Sequence, residues 1–328
     1  MGKKNSNSRI IETANKFLTR FSIVKAFFIR LFGLTIIRYV AYSKGIKTHG
    51  NKERIDFIMG DKIIRVNRKH LIYSLDIINS FDYYHSAVVP IGYNGFKLVD
   101  YSTQRYHDVI GYDKHPIFFP SFSEPVITTE QYLEFSKIKP NSIVLDLGAY
   151  AGLTSILFKE IVGPNGKVIA VDADEQNITA QKINFSLYKK ITGNTILTLN
   201  GAVWIHENGL EFSTEGNMGS SAVSVVGKYR GILKTVPSFT LTSIAKKFEL
   251  KNIDFIKCDV EGAESVIFED HKFFELFKPR IIIETHIVNN IETTGKVIED
   301  LEKYGYRFKK IHQTGVTLPL LECYPPED

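Results

Sequence analysis

A Rossmann-like α/β fold, with a mostly parallel sheet, a C-terminal antiparallel hairpin and an N-terminal helical and irregular extension, is predicted by three features of the 328-residue sequence. First, runs that are apolar almost end to end ("SIVLDL", "KVIAVD", "IDFIKCD", "RIIIET") alternate with stretches of helical length, as parallel strands covered on both faces require. Second, glycines and acids gather just after those runs, where such sheets bind ligands. Third, "YRFKKI", the turn-like "HQTG" and "VTLPLLECY" read as two strands joined by a short loop at the sheet's edge. A composition of 44% hydrophobic and 23% charged residues excludes disordered and fibrous classes.

The chain divides into 1–50, 51–135 and 136–328. Residues 1–50 hold ten Lys and Arg against one acid, Glu12, while the rest of the chain carries 31 bases and 35 acids. Ile10, Ala14, Phe17, Phe21, Val24, Phe28 and Phe32 recur at helical spacing, with Arg9, Lys16, Arg20 and Arg38 on another side. This basic amphipathic helix, over about 9–40, is suited either to peripheral contact with an anionic membrane or to packing on the main domain or a partner. Met1-Gly2 followed by Ser6 fits the loose myristoylation pattern. The basicity is confined to this end, so no nucleic-acid partner is expected. Residues 51–135 mix short β-like runs with aromatic, turn-rich text and read as an irregular α/β lead-in. From 136 the pattern is regular: strands at about 142–147, 167–172, 195–200, 253–259 and 280–285, and helices at about 152–162, 175–190, 241–249, 262–270 and 292–304. The glycine- and serine-rich segment 201–237 reads as an inserted flap. Cys258 and Cys323 are too few for a disulfide framework, no stretch reads as a cleavable signal, and a cytoplasmic location is expected. The sequons at Asn177 and Asn184 fall in a predicted helix and imply no glycan.

"VLDLGAYAG" puts Asp146, Gly148, Ala149 and Gly152 at the first strand-to-helix turn. Glycines there allow close backbone approach to a ligand, but the full dinucleotide fingerprint is missing. A carboxylate in the loop would repel a pyrophosphate and pair with the ammonium of a methionine moiety, so S-adenosylmethionine fits better than NAD. Asp172, ending the second strand, is placed to accept hydrogen bonds from ribose hydroxyls. Asp174 is an equal candidate for a helix N-cap. Ala202, after the third strand, completes the cofactor set.

"KCDVEGAE" throws out Asp259, Glu261 and Glu264 within six residues, and the next strand end adds Glu284 and His286. Acids in a first helical turn also gain from the helix dipole, so capping is the plain alternative. As functional groups they are candidates to hold an acceptor's hydroxyls and take its proton during an in-line methyl displacement. A divalent cation held by the same oxygens is the less favoured reading, because the spacing matches no defined metal motif.

These residues resemble the FkbM family of S-adenosylmethionine-dependent methyltransferases, over about 120–312. Lys257-Cys-Asp259-Val-Glu261-Gly262-Ala-Glu264 follows the family's K-x-D-V-E-G-x-E text; Asp146, Gly148, Ala149 and Gly152 match its D-x-G-A-x-x-G loop. Ser220 and Ser221 match the small pair after the third strand, and Pro279, Glu284 and His286 the stretch around the fifth. Tyr150 stands where Asn is usual, "VDAD" replaces "FEP"-like text, and Thr242 stands where Asp is common. The resemblance implies a class I methyltransferase fold, S-adenosylmethionine as cofactor, and O-methylation of hydroxyls on sugars, glycolipids or natural products. A nicotinamide-dependent oxidoreductase and a tethered module with a vestigial pocket are the rival expectations.

Overall fold

The computed structural model describes residues 34–214, 221–222, 232–288, 291–313 and 319–326. Its centre is a seven-stranded sheet of β1 (Ile143–Leu147), β2 (Lys167–Asp172), β3 (Leu197–Asn200), β4 (Phe255–Cys258), β5 (Arg280–Glu284), β6 (Arg307–Ile311) and β7 (Leu320–Tyr324). The order is β3-β2-β1-β4-β5-β7-β6. β3, β2, β1, β4 and β5 pair in parallel, and β7 runs antiparallel between β5 and β6. The terminal hairpin is thus at the edge as expected, with its last strand tucked inside its first. Order reverses between β1 and β4, and the ligand crevice of an open parallel sheet lies outside the strand ends at such a point.

Both faces are covered. Successive side chains of a strand point to opposite faces, so Val144, Val168, Ala170, Phe255 and Ile282 enter one core, and Leu145, Leu147, Ile169, Val171, Ile256 and Ile281 enter the other. The first core is closed by α1 (Val126–Ser136), α2 (Leu153–Val162) and α3 (Glu175–Thr192), through Tyr132, Phe135, Ile156, Phe158, Phe185 and Tyr188. The second is closed by α4 (Leu241–Lys247), α5 (Thr294–Glu302) and the short helix His271–Leu276. The helix expected over 262–270 is instead two short ones, Glu264–Ile267 and His271–Leu276, because Asp270 starts a new helix by accepting from Phe273 N. Cys258 is fully buried, a packed strand residue as read.

The segment before α1 is more regular than its turn-rich text suggests. Strands Lys47–Gly50, Arg54–Met59, Lys62–Asn67, Phe96–Tyr101 and Ile91–Tyr93 form a five-stranded sheet in that order, followed by the hairpin Arg105–Val109 and Tyr112–Phe119. Its Phe57, Ile64, Val99, Tyr101, Ile117 and Phe119 belong to the same core as α1–α3, so this layer shares its interior with the main sheet. Asn184 of α3 stitches the two together, accepting from Phe118 N at 2.8 Å and donating to Phe118 O and Ala151 O at 2.9 Å each. Both sequon asparagines are buried.

At the N-terminal end residues 34–43 are helical. Leu34, Ile37, Val40 and Ala41 pack on the first core. Most of the basic amphipathic helix expected over 9–40, the Gly2 and Ser6 pattern and Ser220 lie outside the described residues. Of the flap, Leu210–Thr214 pairs antiparallel with Ile232–Val236.

Candidate active site

Lys257 organises the floor of the site. It lies opposite Asp146 in the β1–β4 pairing and is only 5% exposed. Its Nζ donates to Gly148 O at 2.8 Å and stands 3.4 Å from Asp259 Oδ2 and 3.6 Å from Asp146 Oδ1. Burial pulls the ammonium down, but Asp259, Asp146 and Glu284 outweigh it and hold its pKa above the ordinary value. Asp146 does not reach the cleft where the sequence placed it. It is fully buried beneath the loop, accepts from Ser155 Oγ at 2.5 Å, and burial raises its pKa against the opposing pull of Lys257. Its influence on the site passes through Lys257.

The glycine loop is built for close packing. A Cβ on Gly148, at φ +75°, would lie 1.6 Å from Asp259 O, and one on Gly152, at φ +86°, would meet the Phe185 ring at 2.4 Å. The loop's N–H groups are spent internally. Gly148 and Ala149 both donate to Val171 O at 3.0 Å, Gly152 to Ala149 O at 2.8 Å, and Tyr150 to Asp172 Oδ2 at 2.9 Å. No cradle for a pyrophosphate remains among these four groups.

Asp172 also accepts from Asp174 N at 2.9 Å and Asn177 Nδ2 at 3.2 Å, and burial lifts its pKa to about 7. Asn177 Nδ2 also lies 3.3 Å from the second carboxylate oxygen, and Asp172 lines the cleft. Asp174 is the N-cap of α3, accepting from Gln176 N at 2.8 Å.

The five acceptor-side residues come together at the ends of β4 and β5. His286 Nε2 stands 3.5 Å from Asp259 Oδ1 and 3.9 Å from Glu261 Oε2, while its Nδ1 lies 3.0 Å from Glu264 Oε1. Glu264 is fully buried and also accepts from Thr293 Oγ1 at 2.8 Å and Gly262 N at 2.8 Å. It is a buttress that fixes the imidazole from behind. Burial opposes a charged His286, but Glu261, Glu264 and Asp259 raise its pKa well above the ordinary value. Burial would raise Glu264, yet His286 and its hydrogen bonds carry the carboxyl below the usual range. Glu261, in a left-handed backbone conformation at φ +52°, is pushed up to about 8 by burial, against the opposing pull of His286. Glu284, which accepts from Tyr132 OH at 3.3 Å, is raised to about 7 by burial and by Asp259. Asp259, Glu284 and His286 offer ligand atoms within 4.8 Å of one another, a set able to hold a divalent cation, although no spacing in the sequence announced it.

The cleft runs from Asp172 to Glu261 and holds about 1080 Å³ of non-atom space, open solvent included. Gly148, Ala149, Gly152, Asp172, Ala202, Lys257, Asp259 and Glu261 all line it. Sequence reasoning missed its other wall, where Ser123, Glu124, Thr128 and Tyr132 enter from the start of α1. Glu124 is raised well above the carboxylate range by burial and by Glu284 and Asp259. Apart from "PSFSEP", which read as turns, no local signal marks this stretch.

Residues 146–308 match the family described as the methyltransferase FkbM domain. That match spans 163 of the 328 residues, and this part of the chain is similar to the FkbM family. A second family, protein-L-isoaspartate(D-aspartate) O-methyltransferase, matches residues 81–195. No curated protein is matched. Among solved structures, the methyltransferase FkbM from Methylobacillus flagellatus KT is 15% identical with a TM-score of 0.39, over 60% of this chain and 50% of that one. The chain thus spans about half of that protein. Precorrin-6y C5,15-methyltransferase from Geobacter metallireducens GS-15 is 12% identical with a TM-score of 0.39, over 61% of this chain and 87% of that one. The fold assignment rests on the strand order above and not on these distant likenesses.

Within the matched region, each of the three departures from family text has structural partners. Tyr150 reaches from the loop to the missed wall, accepting from Ser121 N at 3.1 Å and donating to Phe122 O at 2.9 Å. Thr242 lies outside the cleft and ties α4 to Asp270, with both its N and Oγ1 donating at 2.8 Å. The Asp residues of "VDAD" divide the work of holding the loop and capping α3.

Proposed function

We propose that the matched region transfers a methyl group from S-adenosylmethionine to a hydroxyl of a sugar, glycolipid or natural-product acceptor. The observation that carries this reading is the ring of Asp259, Glu261 and Glu284 around His286, beside a cleft whose other end is lined by Asp172. When bound, S-adenosylmethionine supplies a sulfonium-activated methyl for in-line displacement. Asp172 accepts from its ribose hydroxyls, Ala149 and Gly148 form the adjoining wall, and Ala202, Val203 and Phe212 give apolar surface to its ring system. The spent N–H groups of the loop favour this cofactor over a dinucleotide.

On the acceptor side, Glu284, with its pKa near 7, takes the hydroxyl proton at neutral pH, where general-base catalysis is most effective. Asp259 accepts from the same or a neighbouring hydroxyl, and Glu261, still protonated below about pH 8, donates to one. The His286 ring, fixed by Glu264, keeps these carboxyls apart and in register.

Incubation with methyl-labelled S-adenosylmethionine and a panel of monosaccharides, glycolipids and polyhydroxylated natural products tests the proposal. Label should enter a product that survives alkali, as a methyl ether does. An alkali-labile product that releases methanol, or label found only on amines, would overturn the hydroxyl assignment.

A further inference from the structure

The helix over 34–43 has two faces, and only one is used. Leu34, Ile37, Val40 and Ala41 are packed inward. Ile36, Tyr39 and Tyr42, spaced three apart and so on one side of the helix, are 47%, 66% and 79% exposed. Arg38 on the helix and Lys44, Lys47 and Lys52 in the chain that follows it are exposed, and between residues 34 and 52 there is no Asp or Glu. Large apolar side chains rimmed by charge mark interaction surfaces. Tyrosine is suited to a bilayer boundary, because its ring is apolar while its hydroxyl stays wet.

We propose that this face is a membrane foot, which seats the Ile36–Tyr39–Tyr42 stripe at the headgroup boundary of an anionic bilayer while the four bases engage its lipids. Charge decides the occupant. A second copy of the same face would oppose four bases to four bases, and a nucleic acid would leave Ile36 without an apolar partner. The sequence preceding the helix is of the same kind, with seven Lys and Arg against Glu12 over residues 1–33. The foot belongs to the layer that ends in Ser123 and Glu124, so the cleft wall and the membrane face are parts of one packed unit. Among the described residues no helix is long and apolar enough to cross a membrane.

The test is co-sedimentation of the full chain with vesicles of phosphatidylcholine alone and with added phosphatidylserine. Wild-type protein should pellet with the phosphatidylserine vesicles, and about 0.5 M salt should release it by screening. Tyr39→Ser/Tyr42→Ser should lower the partition coefficient about tenfold with an unchanged circular dichroism spectrum, since both rings are exposed. Arg38→Glu/Lys44→Glu should abolish the lipid preference and covers the case in which the tyrosine variant misfolds. Equal pelleting on both lipids, wild-type-like pelleting of the tyrosine variant, or a dimer that the variants convert to monomer would each overturn the proposal.

Discussion

Replacing Lys257 with Met removes the one cation that touches Asp146, Asp259 and the Gly148 carbonyl together. Asp146 is fully buried, and among the described residues its other side-chain partner is Ser155. Losing one member of a buried pair costs about 3–5 kcal/mol, because the remaining charge is stranded. The cost has a ceiling, since Asp146 escapes by taking a proton. With an ordinary pKa of 3.8, protonation costs about 4 kcal/mol at pH 7 and about 1.6 kcal/mol at pH 5. A carboxyl whose folded pKa exceeds its unfolded value contributes stability that is present at low pH and lost as pH rises. The deficit of the variant must therefore grow by up to about 2.7 kcal/mol between pH 5 and 7. Over 328 residues at about 2.1 cal/mol/K each, a loss of about 4 kcal/mol lowers the melting temperature by about 6 °C. Urea denaturation at both pH values, followed by circular dichroism, reads the deficit directly. Adding Asp146→Asn should recover most of it, because a neutral amide of the same shape replaces the stranded charge. A deficit below about 1 kcal/mol at pH 7, or one that is equal at the two pH values, would refute the assignment of Lys257 as the counter-charge of Asp146.

Three further outcomes are expected. Gly148→Ala should cost about 2–5 kcal/mol, from backbone strain at φ +75° together with the overlap at Asp259 O, and should weaken S-adenosylhomocysteine binding; a melting temperature within a degree of wild type would contradict the packing role. Glu261 and Glu284 hold protons in the folded chain that they have lost when unfolded, so stability should fall as pH rises from about 4.5 to about 8, the window between their ordinary pKa of 4.5 and their raised values, and Glu261→Gln should flatten the curve. Methyl transfer should persist after exhaustive chelation, since the sequence spacing of Asp259, Glu284 and His286 matches no defined metal motif; loss of activity restored by added magnesium or manganese would assign these three residues to a cation instead.

How far the sequence carried the account depended on the range of each interaction. The five parallel strands were legible because burial on both faces writes itself as unbroken apolar text, and each strand end then fixed the place of Asp172, Asp259 and Glu284. The reversed strand was legible as a hairpin, but its insertion between β5 and β6 depends on pairing with β5, some forty residues earlier. The role of Asp146 was misplaced for the same reason. Its position in the loop text suggested contact with ligand, whereas the partner that defines it, Lys257, lies 111 residues away on β4. The five-stranded accessory sheet hid behind turn-rich text, because its central parallel pair, Lys62–Asn67 with Phe96–Tyr101, is joined only after helices intervene. Glu124 and Tyr132 were invisible as site residues, since nothing local marks a residue that enters a cleft from another layer. The raised pKa of His286 likewise follows from three carboxylates that only the fold brings within reach.

The central claim is a cleft made for S-adenosylmethionine. Its most direct test is calorimetric titration of the purified chain with S-adenosylhomocysteine, with NADH as the comparison ligand. Binding of the homocysteine nucleoside at one site per chain, weakened by Asp172→Asn and absent for NADH, is the predicted result. A folded chain that binds NADH, or that takes up neither ligand, would contradict the account.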